Sequence, residues 1–122
     1  MKAVPPSLRY WFLIHGVVDY ALAIPLFIFP TATLALFDLS APPVLARIVA
    51  AALFAIGGIS FIARDCNKET YKILLTLKLI WSALSIIAIL LALLQQFMWS
   101  WWFFLGLFCI FFGVWLYYRI KL

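Results

Sequence analysis

Acidic residues are scarce in this chain: Asp19, Asp38, Asp65 and Glu69 are all it has among 122 residues. Histidine is scarcer, with His15 alone, and there are only two cysteines, Cys66 and Cys109. These shortages remove whole classes of chemistry. Structural zinc needs four Cys or His ligands, a bis-histidine haem needs two histidines, and a thiol relay of the quinone-reducing type needs a cysteine pair such as Cys-x-x-Cys. No metal, cofactor or catalytic residue is therefore assigned. Cys66 falls in a loop and Cys109 near the middle of an apolar segment. Their depths differ by more than ~10 Å along a helix axis, which argues against a disulfide.

Charge as a whole is sparse at 11%, whereas 69% of residues are hydrophobic and 19% aromatic. A soluble domain of this composition would be coated with exposed apolar surface, so the class is an integral membrane protein. Four apolar segments, Leu8–Pro30, Val44–Ala63, Tyr71–Leu94 and Met98–Tyr118, each reach the ~20 helical residues that cross a hydrocarbon core of about 30 Å. The expected fold is all-α: a four-transmembrane-helix bundle forming one domain over residues 1–122, with a short interfacial segment between the first two helices. The first segment runs past Ala21-Leu22-Ala23 to Phe29, longer than the apolar region of a secretory signal, and is expected to be retained.

Basic residues set the expected orientation. Lys2 and Arg9 precede the first segment, Arg64, Lys68 and Lys72 separate the second from the third, and Arg119 and Lys121 follow the fourth. The opposite side has Arg47, offset by Asp38, and an uncharged Gln95-Gln96 turn. The positive-inside rule places both termini and the middle loop in the cytoplasm, as in a multi-pass protein of a prokaryotic plasma (inner) membrane. The net charge of +5 needs no nucleic-acid partner, because cations on one membrane face meet anionic lipid headgroups.

Local signals mark the ends of the segments. Pro5-Pro6-Ser7 opens the first helix, with Ser7 as the expected cap, and Pro25 predicts a kink in its outer half. Thr31–Ser40 is too apolar for a solvated loop and too short to span, so it is expected to lie along the outer interface. Pro42-Pro43 restarts the chain, Arg64–Asn67 ends the second helix, and Lys68, Glu69 and Lys72 open the third. The fourth follows almost at once, which requires a tight antiparallel hairpin. Trp99, Trp101 and Trp102 mark the outer interface, and Trp115, Tyr117 and Tyr118 the inner one, as belt anchors.

The polar residues inside the apolar segments are the candidate site. A charge at the centre of a spanning helix costs roughly 2.5–3.5 kcal/mol on insertion scales, so Asp19 needs a protein interior and a partner. His15 lies one turn before it on the same face, with Trp11, Leu22 and Leu26. On the third segment Lys78, Ser82, Ser85, Ile89, Ala92 and Gln96 form one stripe, expected to be buried. Counting 1.5 Å per residue, Lys78 and His15 lie about 10 Å from the cytoplasmic side, and Ser82 and Asp19 about 16 Å. The level positions suggest a ligand- or proton-binding site of Asp19, His15, Lys78 and Ser82, supported by Trp11, Ser85 and Arg47. If Lys78 pairs with Asp19 the carboxylate stays ionised; if the lysine snorkels to the surface, the neutral acid is favoured. The competing reading is a polar clasp that fixes helix packing without chemistry. Ala50, Ala51, Ala55, Gly57 and Gly58, with Gly106 and Gly113, read as close-packing positions that would equally suit a homodimer.

Pro30, Leu34-Ala35-Leu36-Phe37, Arg47 with the small residues after it, Gly57-Gly58 and Arg64 occur in an order that resembles the small four-helix DoxX-like membrane proteins and related uncharacterised families. The resemblance covers about half the chain. It implies a four-helix membrane fold and carries over no catalytic motif; some members are proposed quinone-linked oxidoreductase subunits, a role for which this sequence has no cysteine pair. Three functions follow. The first is binding or transport of a small lipophilic molecule, an amine suiting an ionised Asp19. A proton-coupled exporter is one version, although the helix-1 pattern of small multidrug resistance transporters is absent. The second is a structural or accessory subunit that docks another membrane protein, and the third an enzyme using His15 and Asp19 as an acid–base pair on a lipid-like substrate. No nucleophile or phosphate cradle accompanies that pair, which favours a non-enzymatic role.

Overall fold

The computed structural model describes residues Val4–Leu122, and among these every regular element is helical. The order is α1 (Pro6–Ile28), α2 (Pro30–Leu36), α3 (Pro43–Ile62) with a 3₁₀ turn at Ala63–Asp65, α4 (Lys68–Gln95) and α5 (Trp99–Lys121). Four of these helices, α1, α3 with its 3₁₀ turn, α4 and α5, are long and apolar enough to cross a membrane.

Proline starts two of the long helices. Pro5 takes the N-cap of α1 with Pro6 at the first helical position, and Pro42 and Pro43 do the same for α3. Their fixed φ is already helical and their missing N–H belongs to the unsatisfied first turn. Ser7 therefore falls inside the first turn of α1 and does not cap it, contrary to the sequence expectation. Asn67 caps α4, its side chain accepting from Thr70 N–H at 2.9 Å. The boundaries otherwise differ by a few residues from those read in the sequence, and α5 continues to Lys121.

The chain forms two compact units, Pro5–Asp65 and Cys66–Leu122, Val4 grouping with the second. In the first, α1 and α3 pack together with α2 beside them. The buried positions of α3, Ala46, Ala50, Leu53, Gly57 and Ser60, recur at alternating spacings of four and three, the seam of a helix that keeps one face against a neighbour. Ser60 satisfies its hydroxyl internally by donating to the Ile56 carbonyl at 2.9 Å. On α1 the buried set is Leu8, Phe12, His15, Gly16, Asp19, Ala23 and Leu26.

Helix α1 runs through Pro25 and breaks at Phe29, where Pro30 starts α2. The Pro25 carbonyl accepts from Phe29 N–H at 2.7 Å and from the Thr33 hydroxyl at 2.9 Å, tying α2 back to the end of α1. The segment expected to lie as an interfacial stretch is thus partly a seven-residue helix. It ends in a Schellman-type turn: Leu39 N–H reaches the Leu34 carbonyl at 2.9 Å and Asp38 N–H the Ala35 carbonyl at 3.1 Å. Asp38 holds φ at 56°, a left-handed position that aspartate tolerates better than most residues.

In the second unit α4 and α5 form a hairpin joined by Gln96-Phe97-Met98. The buried stripe of α4 is Tyr71, Leu75, Lys78, Ser82 and Ile89, with Ser85 and Ala92 half-buried. Gln96 leaves the stripe because its backbone is extended at the helix end, and it is exposed. On α5 the buried face is Ser100, Phe111, Trp115 and Tyr118. Two of the three inner belt aromatics, Trp115 and Tyr118, are therefore interior residues; Tyr117 alone faces outward. A Cβ on Gly106 or Gly113 would meet no atom within 4 Å, so these glycines are not close-packing positions among the described residues. Cys66 and Cys109 form no disulfide.

Candidate functional site

The polar centre of the first unit is built on α1. His15 Nε2 lies 3.5 Å from Asp19 Oδ1, and the two side chains are only 4% and 5% exposed. That distance exceeds the usual hydrogen-bond range, so the imidazole and carboxylate are close electrostatic neighbours rather than a tight hydrogen-bonded pair. Their spacing of four residues on one helix face fixes the approach.

Glycine sets how near α3 comes to this pair. A Cβ on Gly57 would stand 2.9 Å from Asp19 Cβ and 3.0 Å from Tyr20 Cδ1; one on Gly16 would stand 2.8 Å from Phe61 Cζ and 3.1 Å from the Gly57 carbonyl oxygen. The two helices thus approach through paired glycines, and any side chain there would separate them at the level of Asp19. Tyr20 fills the space beside Gly57, its ring edge-to-face with Phe54 at 5.1 Å and Phe61 at 5.3 Å.

Both ends of this helix pair are closed by arginine. Arg9, in the first turn of α1, donates through Nη1 to the Arg64 carbonyl within the 3₁₀ turn that follows α3. Arg47, near the start of α3, donates through Nε to the Phe27 carbonyl in the last turn of α1 at 3.0 Å. Carbonyls at a helix C-terminus lack intrahelical donors and sit at the negative end of the dipole, so a guanidinium satisfies both needs. Arg47, expected to support the site, acts at the end of α1, and its side chain is exposed.

The second unit brings Lys78 and Ser82 to one buried face of α4, one turn apart. Lys78 Nζ lies 4.8 Å from the centroid of the Trp115 ring, which is fully buried and stacks on Phe111 at 5.7 Å. A tryptophan face attracts a desolvated ammonium by about 2 kcal/mol, so this ring helps hold the lysine cation within an apolar segment. Trp81 packs edge-to-face on Phe108 at 6.2 Å, and Trp11 and Ser85 are half-buried.

No protein family, curated protein or solved structure matches this chain. Among the described residues there is also no group of three or more His, Cys, Asp or Glu placed to hold a metal ion.

The sequence-predicted residues thus fall into two sets, His15 with Asp19 in one unit and Lys78 with Ser82 in the other, all four buried. Gly57, Tyr20 and Trp115 were not expected among them. The spacing of Phe111, Trp115 and Tyr118 was a readable signal for an interior face of α5. For Gly57 the sequence offered only its smallness, shared with Gly58, Gly106 and Gly113.

Proposed function

We propose that this chain is a multi-pass membrane protein that binds or transports a small lipophilic molecule, oriented by the His15–Asp19 pair. One observation carries the reading: a carboxylate and an imidazole lie 3.5 Å apart, almost wholly buried, in the middle of a helix apolar enough to span a membrane. Such groups are costly there and are retained chiefly where they bind or relay something. An ionised Asp19 suits a ligand bearing an amine, and His15 offers a proton acceptor one turn away. Lys78 and Ser82 are assigned to the same activity as the cation and hydroxyl of α4. The basic residues Arg9, Arg64, Lys68, Lys72, Arg119 and Lys121 support an orientation with both termini in the cytoplasm.

A second reading, an accessory subunit in which the polar groups only fix packing, draws on the close approach of Gly57 to Asp19. Native mass spectrometry of gently solubilised protein separates the two. Wild type is expected to carry a defined small-molecule adduct that Asp19→Asn loses while its helical circular dichroism is unchanged. The same adduct in both proteins, or none in either, would remove the binding proposal and leave the accessory role.

A further inference from the structure

The open end of the α4–α5 hairpin gathers cations without matching acids. Lys68 and Lys72 lie in the first two turns of α4, Arg119 and Lys121 in the last turn of α5, and Glu69 is the acidic residue of these turns. Lysines at the start of α4 sit at the positive end of its dipole, where its peptide groups repel them. Glu69 offsets Lys72 weakly, at 3.7 Å with its own side chain largely in solvent.

Arg119 reaches across the hairpin to Thr76. The Thr76 hydroxyl donates to the Lys72 carbonyl at 2.9 Å and accepts from Arg119 Nε at 3.3 Å. Among the described residues the Nη1 and Nη2 groups of Arg119 make no hydrogen bond or ion pair. A guanidinium anchored through Nε presents a two-donor edge that fits two oxygens of one phosphate. Lys72 starts the turn that carries Thr76. The surface next to these groups is exposed hydrocarbon: Ile73 and Ile80, one turn to either side of Thr76 on α4, and Leu116, one turn from Arg119 on α5.

We infer that this end of the hairpin is a headgroup site for an anionic phospholipid, the phosphate lying on Arg119 and Lys72 and the acyl chains on the Ile73, Ile80 and Leu116 surface. The adjoining apolar face selects a lipid over a free phosphate ion, and the cation excess selects an anionic over a zwitterionic headgroup.

The test uses the full-length protein, delipidated in mild detergent and titrated with phosphatidylglycerol, phosphatidylcholine or inorganic phosphate, with bound species counted by native mass spectrometry. Wild type is expected to retain phosphatidylglycerol at least fivefold more than phosphatidylcholine, and millimolar phosphate is expected not to displace it. Arg119→Gln and Lys72→Gln are each expected to cut retention about fivefold. Lys121→Gln, which removes the same charge from a lysine lying 5.6 Å over the Tyr117 ring and outside the phosphate contacts, should lower retention less than about twofold. Arg119→Lys, conserving charge without the two-donor edge, should fall between. Equal loss in Lys121→Gln and Arg119→Gln would reduce the effect to diffuse charge and overturn the site. Equal retention of the two lipids, or displacement by phosphate, would overturn it as well. Unchanged circular dichroism in every variant excludes loss of fold as the cause.

Discussion

Gly57 and Gly113 are chemically identical and structurally opposite. At Gly57 an added methyl would press on Asp19 Cβ and the Tyr20 ring, whereas at Gly113 it would enter open space. Gly57→Ala is expected to destabilise the protein by about 1–3 kcal/mol, the usual range for overpacking a tight contact. Gly113→Ala should be neutral or stabilising by up to about 1 kcal/mol through its helix propensity. Reversible unfolding in mixed micelles, followed by circular dichroism, measures both; equal effects would mean that the α1–α3 approach is looser than described. The sequence could not rank these glycines, because smallness at a helical position does not say which face meets a neighbour. It did identify His15 and Asp19 as one face of one helix, since their four-residue spacing settles that locally. It also placed Lys78 and Ser82 on the buried stripe of α4, but not the ring beneath the lysine, because the partner comes from α5, 37 residues later in the chain.

At the scale of elements, the four long helices were legible from the length of their apolar runs, and the starts of α1 and α3 from their prolines. Helix α2 was not, because seven residues are two turns and show no usable periodicity. What holds it is Thr33 on the Pro25 carbonyl, a contact that depends on the chain turning back at Phe29. The arginines near the starts of α1 and α3 were read as topological markers; in the structure each also caps the end of the other helix. Arg47→Met, which keeps the apolar stem and removes the donor, is expected to cost about 0.5–1.5 kcal/mol, the net worth of one exposed hydrogen bond. The same micellar unfolding measures it, and no change relative to wild type would reduce the Phe27 contact to a passive one.

For the whole molecule, the class of the protein followed from composition alone, since 69% hydrophobic residues leave no way to make a water-soluble surface at this length. Orientation is a separate matter that four apolar helices do not fix. It is read by placing single cysteines at Asp65 and at Gln96, both exposed, in a chain whose two native cysteines are replaced by serine. An impermeant maleimide added to intact cells is expected to label the Gln96→Cys protein at once and the Asp65→Cys protein only after permeabilisation. The reverse pattern would invert the proposed topology.

The crossed arginines of α1 and α3 also bear on how the chain is made. Arg9 is synthesised 55 residues before the carbonyl it caps, and the Phe27 carbonyl 20 residues before the guanidinium that caps it. A nascent chain ending inside the Thr31–Ser40 stretch therefore holds an α1 with neither clasp available. Only when residue 64 has been added can both close. The first arm has to wait for the second, and the smallest piece of this protein that can leave the insertion machinery with those ends satisfied is the pair.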